Sequence, residues 1–396
     1  MLRVLIVVAL TSHGCGTEPA SSLADGSSSG VEPGGSTTTA SVSTTAASDP
    51  TAEATTDTTD TTDTISPSGT EASGSGESSG ETTGDPAAGC PPAPAELTHW
   101  LVGADADADV SPLGPALILM GGGPDVDAAF TWWQAWVSGG DAIVLRTSGE
   151  DGYNDYLFST IGGVDSVETM LVDTAALADD PYVVCRIAHA EAVFMAGGDQ
   201  GQYMSLWKDR GLADAVMMAW SRGAVVGGTS AGLAVLGEFV FAAYQDTVYS
   251  DEALEDPYNR YMTMDRGLFE FPPLLGVVTD SHFYERDRMG RLVGFIARII
   301  QDGWALEVLG LGVDEGTALL VDPDGLGTVV GVGAVYAVRS SGPPQLCEPG
   351  EPLAYADLER MRLVAGDTIA LPTGTTTVES ETISAADGAL QPSDPY

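Results

Sequence analysis

The sequence predicts an α/β protein, a mostly parallel sheet flanked by helices with additional β hairpins toward the C-terminal end. Two observations predict it. After Cys90 short apolar runs end in glycine-rich turns and alternate with longer stretches of helical periodicity. From Gly316 onward, segments such as Thr317 to Val321 and Gly327 to Val338 read as hairpins.

The strands are legible in order. Leu117-Ile118-Leu119-Met120 runs into Gly121-Gly122-Gly123, and Ala142-Ile143-Val144-Leu145 runs into Arg146-Thr147-Ser148-Gly149. Ala192-Val193-Phe194-Met195 meets Ala196-Gly197-Gly198-Asp199-Gln200, and Ala224-Val225-Val226-Gly227 leads into Gly228-Thr229-Ser230. Ligands of open parallel sheets collect beyond the carboxyl ends of the strands, so each of these turns is placed for function. Helices are expected over Leu206 to Ser221 and Met289 to Gln301, and the end beyond Gln391 is expected to fray. The triple glycine lacks the lysine and the spacing of a nucleotide-binding loop, so it reads as a close backbone approach at a strand end.

Residues 16–89 contain no Lys or Arg and almost no large apolar side chain, so they form a disordered linker with a reach of roughly 50 Å. Residues 90–396 are expected to form one large domain. The chain carries 57 acidic residues against 15 Lys and Arg, a formal net charge of −42, which excludes nucleic acid and anionic lipid surfaces as partners. A cationic substrate or a saline exterior suits such a field.

Residues 1–15 have one positive charge and a short apolar run, the layout of a secretory signal too short to span a bilayer. Small residues before Cys15 resemble a bacterial lipoprotein cleavage site, so lipidation of Cys15 and attachment to the cell envelope are expected. In an oxidising exterior Cys90 and Cys347 are available to pair and staple the two ends of the domain, while Cys185 reads as a buried thiol.

Gly228-Thr229-Ser230-Ala231-Gly232 lies between a strand and a helical run, the setting of a nucleophile elbow. Ser230 is the candidate nucleophile, and the amides of Ala231 and Gly198 are candidate oxyanion donors. A serine needs a base. Of the four histidines, His13 lies in the signal, His99 borders the linker and His189 sits in a helical stretch, leaving His282 at the end of an apparent strand. Glu315 and Asp246 are both available to orient its imidazole.

Gly197-Gly198-Asp199-Gln200, the serine motif, Asp280-Ser281-His282-Phe283 with Arg288 and Arg291, and Gly312-Val313-Asp314-Glu315-Gly316-Thr317 resemble the ordered motifs of cyanophycinases. These are serine exopeptidases related to dipeptidase E. The resemblance spans about Leu117 to Val338. It implies a flavodoxin-like sheet, a Ser230–His282–Glu315 triad, no cofactor or metal, and a substrate pocket of Gln200, Asp280, Arg288 and Arg291. It also implies a polymeric partner rich in Asp and Arg; a homodimer is one assembly open to the domain. In the dipeptidase branch the acid instead follows the serine by about fifteen residues, where Gln245 stands, with Asp246 one later. Ser281 departs from the family's usual glutamine, which bears on the substrate more than on the reaction. An esterase with the same serine motif and a polymer-binding surface protein without activity are the alternatives from other classes.

Overall fold

The computed structural model describes residues 89–340 and 342–396, and the expected signal, Cys15 and the linker up to residue 88 lie outside the described residues. In chain order the strands begin with β1 (Thr98–Gly103), β2 (Ala116–Met120), β3 (Asp141–Arg146), β4 (Ser166–Leu171), β5 (Ala192–Met195) and β6 (Val225–Thr229). Then come β7 (Phe239–Phe241), β8 (Met264–Arg266), β9 (Val277–Asp280), β10 (Leu309–Val313), β11 (Thr317–Val321) and β12 (Leu326–Gly331). The last are β13 (Ala334–Arg339), β14 (Tyr355–Val364), β15 (Thr368–Ala370), β16 (Thr375–Thr376), β17 (Ser380–Ala386) and β18 (Ala389–Gln391). The α-helices are α1 (Asp127–Val137), α2 (Ala175–Ala178), α3 (Pro181–His189), α4 (Gln200–Trp207), α5 (Gly211–Arg222), α6 (Ala231–Ala234), α7 (Ser250–Glu255) and α8 (Met289–Gln301).

Among the described residues these strands make two sheets, ordered β1-β4-β3-β5-β6-β2-β11-β12-β15-β16 and β18-β17-β14-β13-β10-β9-β7-β8. In the first, β4, β3, β5, β6 and β2 are parallel neighbours. Strand β2 explains why it sits centrally, since all five of its residues are fully buried. Leu117 and Leu119 enter one core cluster, and Ala116, Ile118 and Met120 enter another on the opposite face. The first of these clusters also contains Leu311, Val313 and Val335 from the second sheet, so burial of apolar surface joins the two sheets. Helix α8 covers the far face of the second sheet through Leu292, Phe295 and Ile296.

The α/β class with a parallel core and C-terminal β structure is the observed one, but the hairpins are distributed differently. Gly327 to Val338 is not one hairpin. β12 pairs with β11 in the first sheet, whereas β13 pairs with β10 in the second. The Gly331-Val332-Gly333 turn carries the chain across, with Val332 fully in solvent at its tip. The helix expected over Leu206 to Ser221 is broken into α4 and α5, because Lys208 is extended and Asp209 is left-handed.

The cysteine pairing is corrected. Cys90 bonds Cys185, 95 residues away, and Cys347 is a free, buried thiol whose pKa burial pushes up to about 12. Helical periodicity is the reason: Val183 and Ile187 face the core from α3, which leaves Cys185 half-buried beside Cys90. Cys347 packs instead into the core under α8. The end beyond Gln391 is not frayed either. The Tyr396 ring packs edge-on against Phe283, Tyr284 and Tyr336, and its hydroxyl accepts from Met289 N (3.0 Å) and donates to Asp287 (2.9 Å).

Candidate active site

Strand β6 delivers Ser230 to a sharp turn into α6. Ser230 has φ 55° and ψ −117°, a backbone state that a residue with a side chain adopts only when its surroundings enforce it. The surroundings are small for that reason: a Cβ on Gly228 would lie 2.4 Å from the backbone of Gly232. The Ser230 amide donates to Met120 O on the neighbouring strand end (3.1 Å), which fixes the turn to β2.

The Ser230 hydroxyl lies 2.7 Å from His282 Nε2, and His282 Nδ1 lies 2.5 Å from Glu315 Oε1. Ser230 comes from the first sheet, while His282 and Glu315 follow β9 and β10 of the second. The triple-glycine turn after β2 is the piece that fits them together. Gly121 O accepts from His282 N (2.7 Å), and a Cβ on Gly122, at φ +93°, would stand 2.5 Å from the imidazole. This is the close backbone approach expected at that strand end.

The hydrogen-bonding around the acid was not foreseen in the sequence. Glu315 N donates to Glu285 Oε2 (3.1 Å). Asp314, buried, accepts from Tyr284 N (2.9 Å) and Ala334 N (2.8 Å), tying the histidine loop to β13. Asp246, the other candidate acid, is exposed and accepts from Thr247 N, so the structure places it outside the Ser230–His282–Glu315 chain. Burial holds the His282 pKa below its usual value; the Glu315 bond opposes this, and Arg286 and Arg288 reinforce it. The resting imidazole is therefore neutral and ready to accept a proton.

Gly198 and Ala231 both belong to turns at Ser230. A Cβ on Gly197 would lie 3.5 Å from Ser230 Cβ, and Ala231 is the buried first residue of α6. Tyr203 holds the glycine turn, donating to Ala196 O (2.9 Å). Gln200 opens α4, and its amide donates to Phe241 O (3.0 Å).

Two expected pocket residues, Asp280 and Arg291, are bonded to each other. Asp280 is buried and receives Arg291 Nε at 2.7 Å and Nη2 at 2.5 Å, and Arg291 also donates to Thr247 Oγ1 (2.9 Å). Asp280 Oδ1 also accepts from Ser281 N (2.9 Å) and Arg288 Nη1 (3.4 Å), so this buried carboxylate is already engaged by the protein. The pair is a strut between β9 and α8. Arg288 remains at the site, donating to Ser281 O (2.7 Å), with its pKa lowered by burial to about 10. It lines a small cavity of about 150 Å³ together with Arg286, Tyr249 and Ser250. Arg286, exposed and with no side-chain hydrogen bond or ion pair among the described residues, was missed in the sequence reading, although its spacing to Arg288 and Arg291 marks one arginine-rich stretch. Arg291 also lines this cavity, and three guanidinium groups in so acidic a chain are suited to a carboxylate.

A model of the family described as Peptidase family S51 matches residues 157–329, which contain Ser230, His282 and Glu315. A cyanophycinase of Synechococcus elongatus is 33% identical over 187 residues, 47% of this chain and 52% of that protein. One of Nostoc sp. is 29% identical over 210 residues, 52% of this chain and 65% of that protein. The chain thus spans about half to two thirds of the length of these relatives. A solved peptidase structure from an acI-B1 Actinobacterium covers 66% of this chain and 98% of its own, with TM-score 0.44 and 18% identity. Over the segment that carries the serine, the histidine and the glutamate, the chain is similar to peptidase family S51.

Proposed function

We propose that the protein is a serine exopeptidase that hydrolyses cyanophycin, a poly-aspartate backbone with arginine on each β-carboxylate, to β-aspartyl-arginine dipeptides. The observation that carries this reading is the continuous chain Ser230 Oγ, His282 Nε2, His282 Nδ1, Glu315 Oε1. The similarity to cyanophycinases supports the substrate.

Ser230 Oγ attacks the carbonyl as His282 Nε2 takes its proton, and Glu315 stabilises the imidazolium and keeps the proton on Nδ1. The amides of Ala231 and Gly198 receive the oxyanion. Collapse expels the amine, which takes the proton from His282. A water, deprotonated by the same histidine, then releases the acyl group. Arg286 and Arg288 hold a carboxylate of the substrate end and so favour cleavage from a terminus. We further propose that the protein is secreted and anchored to the bacterial envelope through lipidated Cys15, with the linker giving the domain reach.

The test is mass analysis of products from the purified full chain on cyanophycin, alongside Ser230→Ala. Dipeptide release that is abolished in Ser230→Ala, at unchanged thermal stability, is the expected result. Turnover of simple esters without release of dipeptide would replace this reading with an esterase. Substantial residual turnover in Ser230→Ala would remove the serine from its role.

A further inference from the structure

A second cavity among the described residues lies away from Ser230. It has a volume of about 1030 Å³ and is walled by residues 89–93, the loop Asp105 to Val110, and α3. Its floor includes Asp141, the first residue of β3, and Ala190, just before β5. Ser230 follows the last residue of β6, which runs parallel to β5, and β5 runs parallel to β3. The cavity is therefore at the opposite end of the parallel strands from the catalytic chain.

Two independent features shape what it can hold. Asp105, Asp107 and Asp109 line the cavity from an exposed loop, and that loop is pinned by Arg186 Nη1 on Asp105 O (3.0 Å) and Ala108 N on Asp141 Oδ2 (3.0 Å). Three carboxylates on one fixed loop favour a cation. The second feature is Arg186 itself, only 8% exposed. Its Nε donates to fully buried Glu168 (2.7 Å), which also accepts from Tyr182 (2.7 Å) and pairs with His99 (2.6 Å). Its Nη2 is buried with no partner among the described residues. Leaving a buried donor unpaired is unfavourable, so this nitrogen calls for an acceptor oxygen. An incoming carboxylate would be repelled by Glu168 and the three aspartates, whereas a neutral carbonyl would not.

We propose that this cavity is a binding site for a basic peptide, taking a lysine or arginine side chain at Asp105, Asp107 and Asp109 and a backbone carbonyl at Arg186. Residues 16–89 contain no Lys or Arg, so the chain's own linker lacks the required cation.

Isothermal titration of the full chain with three probes tests this: Nα-acetyl-lysinamide with cation and carbonyls, n-butylamine with the cation alone, and Nα-acetyl-norleucinamide with the carbonyls alone. The first is expected to bind one site, and each of the others at least about tenfold more weakly, a difference of about 1.4 kcal/mol. Asp107→Asn/Asp109→Asn, both exposed positions, should weaken the first probe by about tenfold or more at unchanged thermal stability. Arg286→Ala, at the catalytic mouth, should leave it unchanged. Equal affinities for Nα-acetyl-lysinamide and n-butylamine would overturn the part assigned to Arg186. Absence of heat up to about 10 mM, or binding that responds to Arg286→Ala and not to the aspartate pair, would overturn the site itself.

Discussion

At the scale of single residues the site is decided by what touches the His282 ring. Glu315→Gln keeps the volume and a hydrogen bond to Nδ1 but removes the charge that stabilises the imidazolium and enforces the tautomer. Turnover should fall on the order of 10³-fold or more, while Asp246→Asn, on an exposed residue outside the chain of bonds, should leave it close to wild type. Steady-state kinetics of both, at matched thermal stability, separates the two acids. The pH profile follows from the same ring. Because burial, Arg286 and Arg288 depress the His282 pKa, the neutral base persists below its ordinary value of 6.5, and the acid limb of kcat/KM should lie under that pH. Removing the like charges with Arg286→Ala and Arg288→Ala should move the limb upward. The motif around Ser230 and the elimination among histidines were readable because that chemistry admits few residue types. Glu285, Asp314 and Arg286 were not, because a carboxylate that accepts a backbone N–H thirty residues away leaves no local pattern.

At the scale of elements, the strut between β9 and α8 is the plainest case of chemistry-bearing residues serving structure. Asp280 and Arg291 read as pocket residues in sequence, since an acid and two arginines near a histidine look like ligands for a charged polymer. In the fold they pair with each other, both side chains about 3% exposed. Breaking such a pair strands a buried charge and costs about 3–5 kcal/mol. Asp280→Asn should therefore lower the chemical-denaturation midpoint strongly, and Asp280→Asn/Arg291→Met should recover part of that loss because the more buried guanidinium goes with it, leaving only Arg288 without that carboxylate. Purely catalytic loss in Asp280→Asn, with an unchanged midpoint, would return the residue to the pocket. Element periodicity was legible where runs were long, as for α8. It failed at Lys208 and Asp209, where two backbone angles end a helix that hydropathy alone would continue.

At the scale of the molecule, the disulfide between Cys90 and Cys185 closes a long loop around β1 to β4. Chain entropy predicts that such a closure stabilises by about 2–4 kcal/mol, so reduction or Cys90→Ser/Cys185→Ser should lower the melting temperature, whereas Cys347→Ser should not reproduce that loss. Differential scanning calorimetry with and without a thiol reductant measures it. The pairing was not legible because it depends on which face of α3 meets the start of the domain, and the second sheet was not legible because strand runs carry no mark of the partner they will choose. That second sheet has a consequence for how the enzyme fails. With the serine on one sheet and the histidine and glutamate on the other, the 2.7 Å contact between them works as an alignment gauge for the whole fold. A small slip of one sheet against the other is expected to break that contact while every strand is still paired, so loss of the proposed activity should be the earliest report that the two layers have begun to part.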